Sequence, residues 1–239
     1  MPPALAIGRV TLAPDAPRLV AAGGEAELDA LAAAVDADLV ELRADLFADP
    51  QPATLPAHLD RLRAAGRPVI LTVRAAAEGG KALAEERRRA LYAAGLPHAD
   101  ALDLEIASTA LAAELVPRAR AAGVAVILSA HATEETPPAA ALLALVDRAR
   151  ELGADVTKLA AYARTLEDLR TLLSVTLAAR ARGLVTLALG PLGPLSRLVL
   201  PAAGSLLTYG HVGRPTAAGQ LPLGELRTLF QRLFSPRPD

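Results

Sequence analysis

Short apolar runs alternate along the chain with longer segments that mix Ala, Leu, Arg and Glu. The short runs predict strands over Leu5–Val10, Leu39–Arg43, Val69–Arg74, Ala101–Ile106, Val124–His131, Asp155–Ala160, Leu184–Gly190 and Leu206–Tyr209. The longer segments predict helices, among them Glu25–Ala37, Lys81–Ala94 and Thr165–Arg182. Gly66, Gly123, Gly153 and Gly183 each stand just before a strand candidate, where a helix is expected to end. Eight strands with helices between them predict a (β/α)8 barrel, one catalytic domain over residues 1–239 without a linker. The competing architecture is an open doubly wound sheet. No G-x-G-x-x-G follows an early strand, so a dinucleotide-binding version of that sheet loses support.

Within the strands the alternation carries further information. In "DLVELRAD" Leu39, Glu41, Arg43 and Asp45 share one face, and Val40, Leu42 and Ala44 share the other. In "ALDLEIA" Asp103 and Glu105 oppose Leu102, Leu104 and Ile106. Arg74 falls in phase with Ile70 and Thr72, His131 with Ile127 and Ser129, and Lys158 with Val156 and Ala160. The uniformly apolar face is expected to meet the helices. The face that carries charges is then expected to point into the barrel, with those charges near the C-terminal strand ends, where barrel enzymes place their chemistry.

Composition narrows the function. A net charge of −1 and no basic stripe argue against a nucleic-acid partner. Aromatic residues are only 3% of the chain, too few for base-stacking platforms. There is no cysteine, which excludes disulfides and thiolate metal sites. No apolar stretch is long enough to span a membrane and no signal peptide is evident, so a soluble cytoplasmic protein is expected.

Of 25 basic residues only Lys81 and Lys158 are lysines. Lys158 sits in "ADVTKLAAYA" among apolar neighbours. Arginine does not lose its proton at working pH, whereas a buried lysine can. One reading is a structural ion pair with Asp103 or Glu105. The other is an imine-forming amine, activated by desolvation. His131 ends the strand before that of Lys158, and the pair would supply a nucleophile and a proton shuttle. "TVRAAAEGG" reads either as a solvent-exposed turn or as Arg74 gripping an oxygen with Glu78 orienting a base. "GPLGPLSR" is read as a loop outside the core, either a simple turn or a phosphate cradle, in which Arg197 is a candidate anion clamp. His58 and His98 read as surface residues, and His211 has no assigned role.

Eight stretches, "ELRADLF", "TVRAAAEGG", "LDLEIA", "ILSAHATEETP", "ADVTKLA", "LGPLGPLSR", "GSLLTYG" and "TAAGQ", occur in the order in which the type I 3-dehydroquinate dehydratases carry them. From about residue 5 to residue 234 the chain resembles that family. The resemblance implies a (β/α)8 barrel and loss of water from 3-dehydroquinate to give 3-dehydroshikimate, through a Schiff base and without metal or cofactor, in the shikimate pathway of aromatic amino-acid biosynthesis. It implies that Lys158 forms the imine, that His131 transfers the protons and that Glu78 holds His131. It implies further that Arg197 binds the substrate carboxylate and that Glu41, Arg43, Arg74, Thr216 and Gln220 line the pocket and bind hydroxyls or each other. A homodimer is expected on the same ground. Departures from the family pattern are Leu187 and Leu189, where methionines are common, Tyr209 where Phe is frequent, and "AAGQ" in place of "APGQ". The alternatives are another Schiff-base barrel such as a class I aldolase, and a non-catalytic metabolite-binding relative. The latter would be expected to have lost Lys158, His131 or Glu78.

Overall fold

The computed structural model describes residues 5–234; the ends of the 1–239 span, residues 1–4 and 235–239, lie outside the described residues. The chain runs β1 (Ala6–Ile7), β2 (Val10–Thr11), β3 (Arg18–Gly23), α1 (Leu28–Ala32), β4 (Leu39–Arg43), α2 (Leu55–Ala64), β5 (Val69–Thr72), α3 (Glu85–Gly95), β6 (Ala101–Glu105) and α4 (Thr109–Ala121). It continues with β7 (Ala125–Ala132), α5 (Ala139–Glu151), β8 (Val156–Tyr162), α6 (Leu166–Ala178), β9 (Leu184–Leu189), α7 (Gly193–Ala203), β10 (Leu207–His211), β11 (Leu221–Pro222) and α8 (Leu223–Phe234). Strands β3 to β9 pair in parallel with their sequence neighbours, and β10 pairs in parallel with β3, which makes the (β/α)8 barrel that the alternation predicts.

The first barrel strand differs from the expectation. Leu5–Val10 is not a barrel strand. Its apolar residues belong to the antiparallel β1–β2 hairpin, whose Ile7 is fully buried in one cluster with Leu39, Ile70, Ile127, Val156, Val185 and Leu207. Those six lie at or near the N-terminal ends of their strands, so the hairpin plugs the barrel floor. The barrel begins instead at "RLVAAG", Arg18–Gly23. The predicted helix over Glu25–Ala37 is shorter than expected, a 3-10 turn at Glu25–Glu27 followed by α1.

The strand alternation is as expected. Val40, Leu42, Leu71, Leu102, Leu104 and Leu128 pack outward under the helices. The apolar residues next to them in the chain, Leu39, Ile70, Ala101 and Ile127, belong instead to the separate interior cluster. Gly66, Gly123, Gly153 and Gly183 all have positive φ, the left-handed conformation that ends a helix and that favours glycine.

Strands β9 and β10 meet without a ladder among the described residues. The seam is closed by the Leu206 N–H donating to Leu184 O at 3.0 Å and by the Thr186 N–H donating to Ser205 Oγ at 2.9 Å. The Arg197 side chain reaches the same seam. Its Nε donates to Tyr209 O at 3.0 Å and its Nη1 to Ala188 O at 3.3 Å.

Candidate active site

A cavity of about 280 Å³ opens at the C-terminal end of the barrel. Each of Glu41, Arg43, Arg74, Glu78, His131, Lys158, Arg197, Thr216 and Gln220 lines it, so residues scattered over the chain from β4 to the β10–β11 loop meet in one place. Lys81 does not line it. That lysine donates to Phe47 O at 2.8 Å and to Leu46 O at 3.3 Å, bracing the turn after β4.

Lys158 projects from the middle of β8 and is 4% exposed. Its Nζ lies 2.8 Å from Asp103 Oδ2 and 3.3 Å from Glu41 Oε1. The expected ion pair with Asp103 exists; Glu105 is engaged elsewhere, by Arg74 and Arg88. Burial pulls the lysine pKa down, but the Asp103 and Glu41 carboxylates outweigh it and hold the ammonium above the usual lysine range. Desolvation therefore does not yield a neutral amine here, which corrects the activation expected from the apolar neighbours in sequence. For Asp103, burial raises the carboxyl pKa, and Arg74 and Lys158 more than reverse that, leaving it below the usual range.

His131 lies near the C-terminal end of β7, one strand from Lys158, in a register that pairs Ser129 with Lys158 and His131 with Ala160. Glu78 ends the 3-10 turn Ala76–Glu78 after β5. Its Oε2 lies 2.8 Å from His131 Nδ1 and accepts the His131 backbone N–H at 2.9 Å. Burial, then the cations Arg74 and Lys158, push the His131 pKa well below its usual value, so the ring is neutral. Burial pushes the Glu78 carboxyl up to about 7, against the pull of Arg74. With Glu78 ionised, Nδ1 carries the ring proton and Nε2 is left with a free lone pair.

The arginines divide into two kinds. Arg74 is saturated by the protein itself: Nη2 meets Asp103 Oδ1 at 2.9 Å, and Nη1 meets Glu105 Oε1 at 3.0 Å and Ser129 Oγ at 2.7 Å. Arg43 forks onto Asp45 at 2.8 and 2.7 Å, and Asp45 also accepts the Arg74 backbone N–H at 3.1 Å. Both guanidiniums thus grip carboxylates of the chain rather than standing free. Arg88, on α3, pairs with Glu105 and donates to Val73 O at 3.0 Å, locking that network from the outer side. Nothing in "EERRRAL" distinguishes the buried Arg88 from the half-buried Arg87 and Arg89, so the sequence held no signal for it.

Arg197 is the other kind. It is 1% exposed, and its hydrogen bonds run only to carbonyls: Tyr209, Ala188 and, at 2.8 Å, Gly193. Among the described residues no carboxylate balances it, and burial alone lowers its pKa to about 10, which still leaves it charged at neutral pH. It was expected in a loop outside the core; it lies instead in helix α7, buried against the β9–β10 seam. The preceding Gly190–Leu192 turn does not stand open to a phosphate through its Gly190 amide, because that N–H donates to Ala218 O at 3.2 Å.

Thr216 and Gln220 close the rim together, with the Thr216 N–H and Oγ1 both donating to Gln220 Oε1, at 2.8 and 3.1 Å. Leu187, Leu189 and Tyr209 supply apolar wall. The Tyr209 ring lies under Lys158, with Nζ 4.3 Å from its centre. His98 pairs with Asp60 and His58 stacks edge-on against Phe47, neither of them at the cavity. His211 Nδ1 is buried without a partner, and nothing in the structure explains it. Among the described residues no group of three or more His, Cys, Asp or Glu side chains is arranged to hold a metal ion, and no helix is long and apolar enough to cross a membrane.

A lysine, a neutral imidazole backed by a carboxylate, and an unbalanced buried arginine form a set suited to imine chemistry on a carbonyl compound that carries an anion. Comparison with known proteins agrees. A family model described as Type I 3-dehydroquinase matches residues 19–235. A 3-dehydroquinate dehydratase of Methanocella arvoryzae is 36% identical over 196 residues, covering 82% of this chain and 87% of the relative. One from Klebsiella pneumoniae is 35% identical over 208 residues, covering 82% and 83%. Among solved structures, 3-dehydroquinate dehydratase from Geobacillus kaustophilus superposes with a TM-score of 0.88 at 29% identity, over 98% of both chains.

Proposed function

The chain belongs to the type I 3-dehydroquinase family, and on that premise we propose that its described residues form one catalytic barrel that dehydrates 3-dehydroquinate to 3-dehydroshikimate through an imine on Lys158. The observation that carries the assignment of roles is the sharing of one cavity by Lys158 and the His131–Glu78 pair. The resting ammonium must first give up a proton. The neutral His131 ring, and Glu78 with its carboxyl near 7, are the nearby acceptors. The free amine then adds to the ketone carbon, and one amine proton passes to the oxygen. The acceptor returns the ammonium's proton to that oxygen as well, and it leaves as water to give an iminium with His131 neutral again. That cation draws electrons from the adjacent C–H bond. His131 Nε2 takes the proton, and the imidazolium returns it to the departing hydroxyl, which leaves as a second water. Hydrolysis of the conjugated iminium consumes one water and releases the enone and the lysine amine, so the net change is loss of one water.

Glu78 keeps its partner ring in the tautomer that exposes Nε2 as base. Protonation of its carboxyl would turn that ring around electronically, with Nδ1 accepting and Nε2 carrying the hydrogen. Activity in kcat/KM is therefore expected to fall as pH drops through about 7, the value to which burial raises Glu78. Glu78→Gln is expected to remove that acid limb and to lower kcat by less than the roughly 10²-fold floor for a direct proton-transfer group. A pH–rate profile that keeps the limb in the variant would assign it to another group.

Arg197 is proposed as the anchor for the substrate carboxylate, because it is a buried cation with no carboxylate of its own. Arg197→Lys keeps the charge and loses the planar fork. KM is expected to rise roughly ten- to a hundredfold, the range for a charge-assisted hydrogen bond. The thermal midpoint is expected to fall as well, since the same side chain bridges β9 to β10. A collapse of kcat at unchanged KM would place Arg197 in the elimination step instead.

Glu41, Arg43, Thr216 and Gln220 are read as contacts to substrate hydroxyls, and Arg74 as the clamp on Asp103 and Glu105. A homodimer in the cytoplasm is part of the same reading. Incubation with 3-dehydroquinate should produce the ultraviolet absorbance of a conjugated enone. Turnover confined to phosphorylated ketones or aldehydes would favour an aldolase instead.

A further inference from the structure

The hydroxyl of Tyr209 has no part in the steps above. Four buried side-chain polar atoms lack a hydrogen-bond partner among the described residues: Arg89 Nε, Thr157 Oγ1, His211 Nδ1 and Tyr209 Oη. Of these four residues only Tyr209 lines the cavity. It is 3% exposed, and its ring supports the Lys158 ammonium. Its backbone is anchored through the bond from Arg197 Nε to its carbonyl. A buried hydroxyl without a partner is a net cost to the fold. A phenylalanine ring would fill the same space beside Lys158 without that cost. The missing partner is therefore to be sought in what enters the cavity. Burial raises the phenol pKa, with Lys158 opposing, so the group meets a ligand as a protonated donor.

We propose that Tyr209 is a further substrate-contacting residue, whose hydroxyl donates a hydrogen bond to the oxygen on the carbon that Lys158 attacks. The inference rests on the imine reading of the site. A carbon bonded to Nζ lies beside the tyrosine ring, because Nζ itself is 4.3 Å from the ring centre. As the N–C bond forms, the carbonyl π electrons move onto that oxygen, which takes up the proton that the nitrogen sheds. The hydroxyl then takes a second proton, the one the resting ammonium gave to His131 or Glu78. The C–O bond breaks, the oxygen leaves as water, and the nitrogen lone pair closes the C=N bond. Tyr209 keeps its own proton throughout. Its hydrogen bond strengthens while charge builds on the oxygen, so it assists imine formation and the reverse hydrolysis, and not the C–H step that belongs to His131.

The test is Tyr209→Phe beside wild type. Each is mixed with 3-dehydroquinate, quenched with borohydride at intervals, and the reduced adduct on Lys158 is quantified by mass spectrometry. The expected result is a fall of about tenfold in the rate of adduct formation, the upper range for one neutral hydrogen bond, with a thermal midpoint equal to or above wild type. A fall smaller than about threefold, the lower part of that range, overturns the proposal. So does a lower thermal midpoint accompanying the slower rate, which would make the hydroxyl a structural group. If wild type itself forms no adduct at Lys158, the imine reading fails together with the inference. If wild type forms it and the variant matches its rate, only the role of Tyr209 is lost.

Discussion

Lys158→Arg is expected to give a folded protein with no measurable dehydration. Arginine keeps a cation between Asp103 and Glu41, so the buried carboxylates stay compensated. It cannot supply a neutral nucleophile at any working pH. A loss of roughly 10⁴-fold or more in kcat is expected, the scale on which removing a covalent nucleophile disables a group of residues that act as a unit. Lys158→Ala tests the other half of the role. It leaves Glu41 and one oxygen of Asp103 buried without their cation, and losing one partner of a buried pair costs about 3–5 kcal/mol. The alanine variant should therefore be both inactive and less stable, and the arginine variant inactive alone. Kinetics with thermal melts of the two variants separate chemistry from folding. Residual activity in Lys158→Arg within about tenfold of wild type would not fit loss of a covalent nucleophile.

His131→Ala is expected to lower kcat by about 10²–10⁴-fold, the usual contribution of a positioned acid–base group. The imidazole is half of a pair with Glu78, and with Nδ1 committed to that carboxylate, Nε2 is the nitrogen left for substrate. Burial and the cations Arg74 and Lys158 hold the ring neutral, which is the form that accepts a proton. The variant keeps Lys158, so an imine should still form and should accumulate, because the step that consumes it is blocked. Mass spectrometry of His131→Ala after borohydride treatment should show more trapped substrate per turnover than wild type. A change in kcat below about tenfold would leave His131 as a structural residue.

The sequence carried the barrel and the composition of the site, and the reasons for its failures are local. From β4 onward the strands are rich in Val, Leu and Ile, and their alternation alone puts Glu41, Arg74, Asp103, His131 and Lys158 on the inward face. The first barrel strand escaped because "RLVAAG" ends in Ala21, Ala22 and Gly23, which carry little strand signal. Gly23 is small for a reason in three dimensions: a Cβ there would approach Glu27 Cβ to 2.8 Å. The apolar run at Leu5–Val10 looked like a strand because a buried plug and a buried strand have the same hydropathy. Arg197 was read as a loop residue because Pro191 and Pro194 suggested turns; Pro194 stands in the first turn of α7, where a helix tolerates proline. The charge state of Lys158 was out of reach of local sequence. Its apolar neighbours predict a lowered pKa, and the carboxylates that reverse this come from β4 and β6, 117 and 55 residues away in the chain.

The central claim is a covalent bond between the substrate and Lys158. Wild-type protein is incubated with 3-dehydroquinate and borohydride, digested, and the modified peptide sequenced by mass spectrometry. The account predicts a reduced substrate adduct on the Lys158 peptide and none on Lys81, whose Nζ is held by the carbonyls of Leu46 and Phe47 outside the cavity. An adduct on Lys81, or an active preparation that yields no adduct, would contradict it.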